Sequence, residues 1–248
     1  MSKYLFDTVL TEGLILKRPN RFLMDVLINN ELVRCHCPST GRIGGITFDK
    51  IPCLLSKCNN SKRKTDYTVE AISLNKQEDK KKYWIGINQV KANRYIEYFL
   101  KTNQLSKIVK CDKNTKILRE KFIGNSKLDF LVNNSYIEVK TPLVQLQLKK
   151  HYFTNKNIKI SDFKNFNSTD RFLKHIEELS NSLKIHEKAY LITLFMFDAK
   201  KFNPPRSERY EYIFNAVSQA KNSGVEIWQV NLSVDEYGVE LKSYVLLK

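Results

Sequence analysis

The chain is short of acids relative to its cations, has an odd number of cysteines, and contains no apolar run long enough to cross a bilayer. Its 26 Asp and Glu face 42 Lys and Arg, which leaves a formal charge of +16 and a pI near 9.5. Such a balance excludes an acidic surface and favours a polyanionic partner, nucleic acid first and an anionic membrane surface second. Lys and Asn are both abundant, as in proteins from AT-rich genomes, so part of the lysine excess is also expected from compositional drift. Both halves carry more cations than acids, which excludes a single basic tail. Five cysteines suit a reducing cytosol better than a disulfide framework, so a cytoplasmic location is expected. The best apolar stretch, residues 189–197, reads as a buried strand and not a membrane span. Met1-Ser-Lys-Tyr-Leu-Phe-Asp7 offers no apolar core of a signal peptide. Neither an internal repeat nor a low-complexity tract is visible.

What is present points to a folded chain. The 248 residues suit one large domain or two small ones, and 14 Phe, 12 Tyr and 2 Trp supply a sizeable core. Residues 13–17, 22–28, 32–37, 53–56, 67–74 and 83–88 read as short strands. Pro19-Asn20 and Asn29-Asn30 supply turns between the early ones. That spacing suggests a small barrel over residues 1–90, with the OB-fold as the natural candidate, and a charged loop over 76–82. From residue 91 the pattern becomes a mixed α/β domain. It runs as an amphipathic helix over 94–102, strands over 116–123, 128–132 and 135–140, and an irregular Asn- and Lys-rich insertion over 151–167. A helix capped by Ser168-Thr-Asp170, a strand over 189–197, a helix over 207–221 and two last strands follow.

The stretch that carries most chemistry is Gly124-Asn-Ser-Lys-Leu-Asp129-Phe130 with Tyr136-Ile-Glu138-Val-Lys140. Residues 128–132 and 135–140 alternate with the period of strands. Asn133-Asn134 suits a tight turn, because Asn tolerates positive φ. With those two as the turn, Asp129 faces Glu138, and Lys140 shares that face. Leu128, Phe130, Val132, Ile137 and Val139 form the opposite, buried layer. The plain reading is a half-exposed hairpin with a polar outer face. Facing carboxylates repel, however, and destabilise a sheet. A bound Mg²⁺ or Mn²⁺ removes that cost, and such ions need only one or two carboxylates plus substrate phosphates. Lys140 then either holds the attacking water or phosphate, or neutralises the two acids. A metal site in a basic chain points to phosphodiester chemistry on DNA, duplex or single-stranded, and less to RNA.

Other clusters are weaker. Cys35-His-Cys37 and Cys53-x4-Cys58 invite zinc, but C-x-C is not the usual spacing and free Cys is commonly buried. Lys62-Arg63-Lys64 is a loop triplet suited to phosphates, with Arg21 and Arg42 as further contacts. Phe22 and Tyr67 can stack on bases or fill the barrel, and for Phe22 the core is the favoured place. Arg171, Lys174 and His175 lie near the start of a helix, where either phosphate binding or a solvated basic face fits. His175 as a general base is a distant option.

An acid and Glu-x-Lys on adjacent strands, in this element order, resemble the PD-(D/E)xK nuclease core, with Leu128 in place of its proline. More narrowly, the chain resembles the sugar fermentation stimulation protein A family. The residues that carry this are Arg21 to Val26, His36-Cys-Pro-Ser-Thr-Gly41, Lys62-Arg-Lys64 with Tyr67-Thr68, Gly86-Ile-Asn88, Asn93-Arg94, Glu120, Gly124 to Phe130, Ile137 to Lys140, Thr169-Asp-Arg171 and Lys174-His175. The resemblance implies an OB-like barrel followed by a nuclease-like domain, together binding DNA, or a non-catalytic regulator of sugar-utilisation genes. It also implies Glu120 as a third metal carboxylate and Glu97 as a first-helix acid, for which a salt bridge is the favoured reading. Thr141 stands where the family has asparagine, and Phe172-Leu173 where it has Gly-Gln.

Overall fold

The computed structural model describes residues 2–58, 62–124, 126–159, 169–204 and 209–247. A short strand, β1 (Tyr4–Leu5), precedes the five strands of a closed barrel. These are β2 (Thr11–Asn20), β3 (Leu23–Ile28), β4 (Glu31–His36), β5 (Ile51–Lys57) and β6 (Tyr67–Ser73). They run in the order β4-β3-β2-β5-β6, and a parallel bridge from His36 to Thr68 closes the ring. Register shifts in β2 and between β5 and β6 supply the bends that closure needs. The β3–β4 hairpin turns on Asn29 and Asn30, both at positive φ, as Asn permits. Ile15, Met24, Val26, Ile51, Leu55, Val69 and Ile72 fill the barrel. β7 (Trp84–Gly86) then adds to β6 outside the ring.

A ten-residue helix, α1 (Ala92–Lys101), leads into a seven-stranded mixed sheet. Its strands are β8 (Ile117–Ile123), β9 (Ser126–Val132), β10 (Ser135–Lys140), β11 (Lys188–Phe195), β12 (Glu226–Val234) and β13 (Gly238–Leu246), with β1 joining β13 at the edge. β10, β11 and β12 are parallel. Parallel neighbours need crossovers, and α2 (Asp170–Ser182) and α3 (Tyr210–Asn222) provide them. Gly224 stops the chain after α3 at φ 103, a conformation glycine adopts freely.

The sheet is covered on both faces. α1 buries Tyr95, Ile96, Phe99 and Leu100 against Phe130, Ile137, Ile192 and Val230. α2 and α3 cover the other face over Tyr136, Leu191 and Ile227. From Ala189 to Ile192 β11 alternates between the two cores, and Phe195 and Phe197 turn to the barrel core, which explains why 189–197 is so apolar. Each large side chain buried this way stabilises by roughly 1.5–3 kcal/mol. Leu54, Ala71 and Trp84 of the barrel half join the α1 core, while Phe195, Phe197 and Tyr152 join the barrel core. The contact is closest at Gly86, whose N–H donates to the Met196 carbonyl at 2.9 Å. A Cβ there would lie 2.6 Å from the Met196 Cβ.

Several expectations are corrected. Residues 151–159 are irregular, as expected, but they pack onto the barrel. Tyr152 and Ile158 are buried in the barrel core, and Asn75 donates to the His151 carbonyl at 3.1 Å. Residues 160–168 of the expected insertion and cap lie outside the described residues. Thr169 precedes α2 without a side-chain cap bond. Phe22 is not core: it is 44% exposed at the β2–β3 turn, with the Arg21 guanidinium 4.6 Å from its ring. Leu128 packs with Ile176 and Leu179 under α2 and not with the Phe130 layer.

Candidate functional site

The hairpin register is the one the sequence predicts. Ser135 pairs with Val132, Tyr136 with Leu131 and Ile137 with Phe130. Asn133 makes the turn at φ 53. One step further, at Asp129 and Glu138, the β9–β10 ladder opens. The Asp129 carboxylate takes over there: Oδ2 accepts from the Val139 backbone N–H at 2.7 Å, and Oδ1 from Asn93 Nδ2 at 2.7 Å. β10 meanwhile stays paired to β11, with Glu138 beside Leu191 and Lys140 beside Thr193. The acid pair therefore sits where one ladder ends and the next continues.

Glu138 is buried, 2% exposed. Its Oε1 accepts from the Lys140 ammonium and from His175 Nδ1, the latter at 2.5 Å. A carboxylate only accepts, so the ring carries its proton on Nδ1. His175 arrives on α2, 37 residues along the chain, and is itself buried. The second oxygen of Glu138, Oε2, is buried without a hydrogen-bond partner. Burial first, and the Glu138 charge second, push the Asp129 carboxyl above its usual range, against the pull of the Val139 and Asn93 donors. Two acids thus share one field, and one buried oxygen has no donor. That donor set suits a hard divalent cation, which takes oxygen ligands.

Glu120 does not reach this pair. It stands across from Asp129, between the pairs Arg119–Phe130 and Lys121–Leu128, but its backbone turns to φ 50. Its carboxylate is 74% exposed, and the Lys127 ammonium lies 3.9 Å away. Among the described residues, no three His, Cys, Asp or Glu converge to hold a metal. Glu97 pairs with Lys101 at 2.7 Å and Arg119 at 2.5 Å, a salt-bridge role. Asn93 and His175 are the two partners that spacing alone does not single out. Asn93 stands at the start of α1, and only tertiary packing sets it over Asp129.

The basic residues fall in separate places. Arg21 covers Phe22, and Lys62, Arg63 and Lys64 are exposed on the barrel loop, where Arg63 donates to Thr68 Oγ1 at 3.1 Å. Arg171 and Lys174 are exposed on the first turns of α2. Arg42 and Lys140 line a common cavity of about 800 Å³ between the barrel and α3. Cys35, Cys37 and Cys53 are buried in the barrel, and desolvation raises their thiols, Cys35 to about 12. Gln89 donates from Nε2 to both the Thr141 carbonyl and its hydroxyl, tying the barrel exit to the end of β10.

A closed OB-like barrel fused to a mixed α/β sheet, with an acidic pair and a lysine on one hairpin, defines a two-module protein of the OB-domain class. The sequence is specific enough to go further. Residues 16–87 match the family model "SfsA N-terminal OB domain" and residues 90–238 match "Sugar fermentation stimulation protein RE domain". The chain belongs to the sugar fermentation stimulation protein family. It is 33% identical to the homologue of Clostridium novyi (strain NT), over 96% of this chain and 97% of that one. It is 31% identical to the homologue of Picosynechococcus sp., over 93% of this chain and 88% of that one. The solved structure of Pyrococcus furiosus SfsA in complex with Ca²⁺ shares the fold, with TM-score 0.74 at 18% identity, covering 99% of this chain and 98% of that one. No helix among the described residues is long and apolar enough to cross a membrane.

Proposed function

We propose that this chain binds DNA and hydrolyses phosphodiester bonds at the Asp129–Glu138–Lys140 hairpin with the help of a divalent cation. The observation that carries this reading is the unpartnered, buried Oε2 of Glu138 beside an Asp129 carboxyl held above its ordinary range. Both fit a site at which two carboxylates hold a cation. The acid on β9 and Glu-x-Lys on β10 also fit the PD-(D/E)xK nuclease arrangement. The Pyrococcus relative, solved with Ca²⁺, supports a hard-cation preference. The OB-like barrel and the charge of +16 support the polymer.

Asp129 and Glu138 would hold Mg²⁺ or Mn²⁺. When bound, the ion supplies a Lewis acid that lowers the pKa of water at phosphorus. The chain's own residues do the rest. Asn93 and the Val139 N–H fix the Asp129 carboxylate. His175 holds Glu138 through its Nδ1 proton. Lys140, 28% exposed, places a positive charge where the scissile phosphate arrives. Arg42, Arg171, Lys174 and the 62–64 triplet would hold the backbone on either side.

The test is cleavage of plasmid and oligonucleotide with Mg²⁺ or Mn²⁺. Lys140→Ala should abolish cleavage by at least ~100-fold while DNA binding persists. A second reading is a non-catalytic DNA-binding regulator, favoured by the engagement of Lys140 with Glu138. Absence of cleavage across metals, with one operator sequence bound far more tightly than random duplex, would establish that reading and remove the first.

A further inference from the structure

The cavity beside Lys140 plays no part in holding a cation. Its walls combine two features seldom found together. Aromatic rings come from Phe172 of α2, Phe202, and Tyr210 and Phe214 of α3. Cations come from Arg42, Lys140, Lys201 and Lys221, and none of the described residues that line it is Asp or Glu.

α3 is unusual for a crossover helix. Only Ala220 is buried, and its aromatic stripe faces the cavity. The Tyr210 and Phe214 rings lie parallel, 5.9 Å apart at 20°, with Phe214 51% exposed. This is a stacking platform with an open end.

Aromatic rings set among aliphatic side chains such as Leu143, Leu191, Ile213 and Ile227, with four cations around them, suit a ligand with flat apolar faces and repeated negative charge. An acyl chain needs neither flat rings nor four cations. Paired bases hide their faces inside the helix, whereas unpaired ones offer them to aromatic side chains. The cavity also shares Lys140 with the acid pair, so a base seated there would bring its own phosphate to the hairpin.

We infer that this cavity receives unpaired bases, so that the preferred substrate is single-stranded nucleic acid or a locally opened duplex. The inference rests on the nucleic-acid reading above. It does not require cleavage.

Binding of fluorescein-labelled oligodeoxythymidine and of a hairpin duplex with the same number of phosphates tests it, using the full chain in EDTA. The single strand should bind about tenfold more tightly, and Phe214→Ala should remove about that factor for the single strand alone. Phe214→Trp should restore the affinity, and its fluorescence should be quenched as oligonucleotide is added. Because Phe214 is half exposed, the alanine variant should melt like the parent, which separates lost stacking from lost folding. Equal affinity for both polymers, or an unchanged single-strand affinity in Phe214→Ala, overturns the base cavity and leaves the DNA-binding reading intact. A tryptophan response to anionic vesicles with none to oligonucleotide also overturns it. If neither polymer binds, both readings fall together.

Discussion

Asp129 is the residue at which the site acts on stability. Its carboxyl is raised by burial and by Glu138. A raised acid favours the folded state below its unfolded pKa, and this contribution is lost as pH rises through the folded value. Without metal, the charged form therefore weakens the fold at neutral pH. The melting temperature of Asp129→Asn relative to the parent should rise between pH 4 and pH 7, and a pH-independent difference would contradict this. A cation that binds both acids reverses the penalty. At hundredfold excess over its Kd, Mn²⁺ or Mg²⁺ should raise the parent's melting temperature by roughly 5–10 °C. Glu138→Gln should lose that rise, with Lys140 and His175 still in place to pack around the amide.

At the scale of elements, the hairpin was legible because its information is local. Asn133-Asn134 sets the turn, and alternation sets the face, so Asp129, Glu138 and Lys140 follow by counting. The rest of the site was not, because it is brought together over distance. His175 reaches Glu138 only through the α2 crossover, and Asn93 reaches Asp129 only through α1 packing. Glu120 has the right register and the wrong backbone, and no period reveals a single positive φ. The strands of the barrel were readable for the same local reason as the hairpin. The docking of Tyr152 and Ile158 onto them was not, because their apolar character is diluted among Asn and Lys. The β7–β11 junction also belongs to this scale. Gly86→Ala should destabilise by about 1–3 kcal/mol in chemical denaturation, because the Met196 backbone cannot withdraw. A neutral result would mean that the two modules separate more easily than their contacts indicate.

For the whole molecule, the two modules share their cores. Trp84 and Leu54 pack with the α1 side of the sheet, and Phe195 and Phe197 with the barrel. Such mutual burial couples the halves. Urea unfolding followed by tryptophan fluorescence and by far-UV circular dichroism should give one coincident transition, and two resolved midpoints would refute that coupling. Gln89 links the barrel exit to Thr141, directly after Lys140, so the barrel is held against the end of the hairpin by direct hydrogen bonds and not by a loose tether.

β1 pairs with β13, so a strand near the start of the chain closes the sheet against one near its end. During synthesis the barrel strands emerge first, while Tyr152, Phe195 and Phe197, which complete their core, follow later. Tyr4 can pack against Tyr95 and Tyr98 of α1 early, but β1 has no strand partner until Gly238 and Val239 leave the ribosome. Between the emergence of β12 and that of β13 the sheet edge beside β12 is open. A product terminated before β13 would therefore leave β1 without its strand partner and expose the unpaired edge of β12, a template for pairing with other chains.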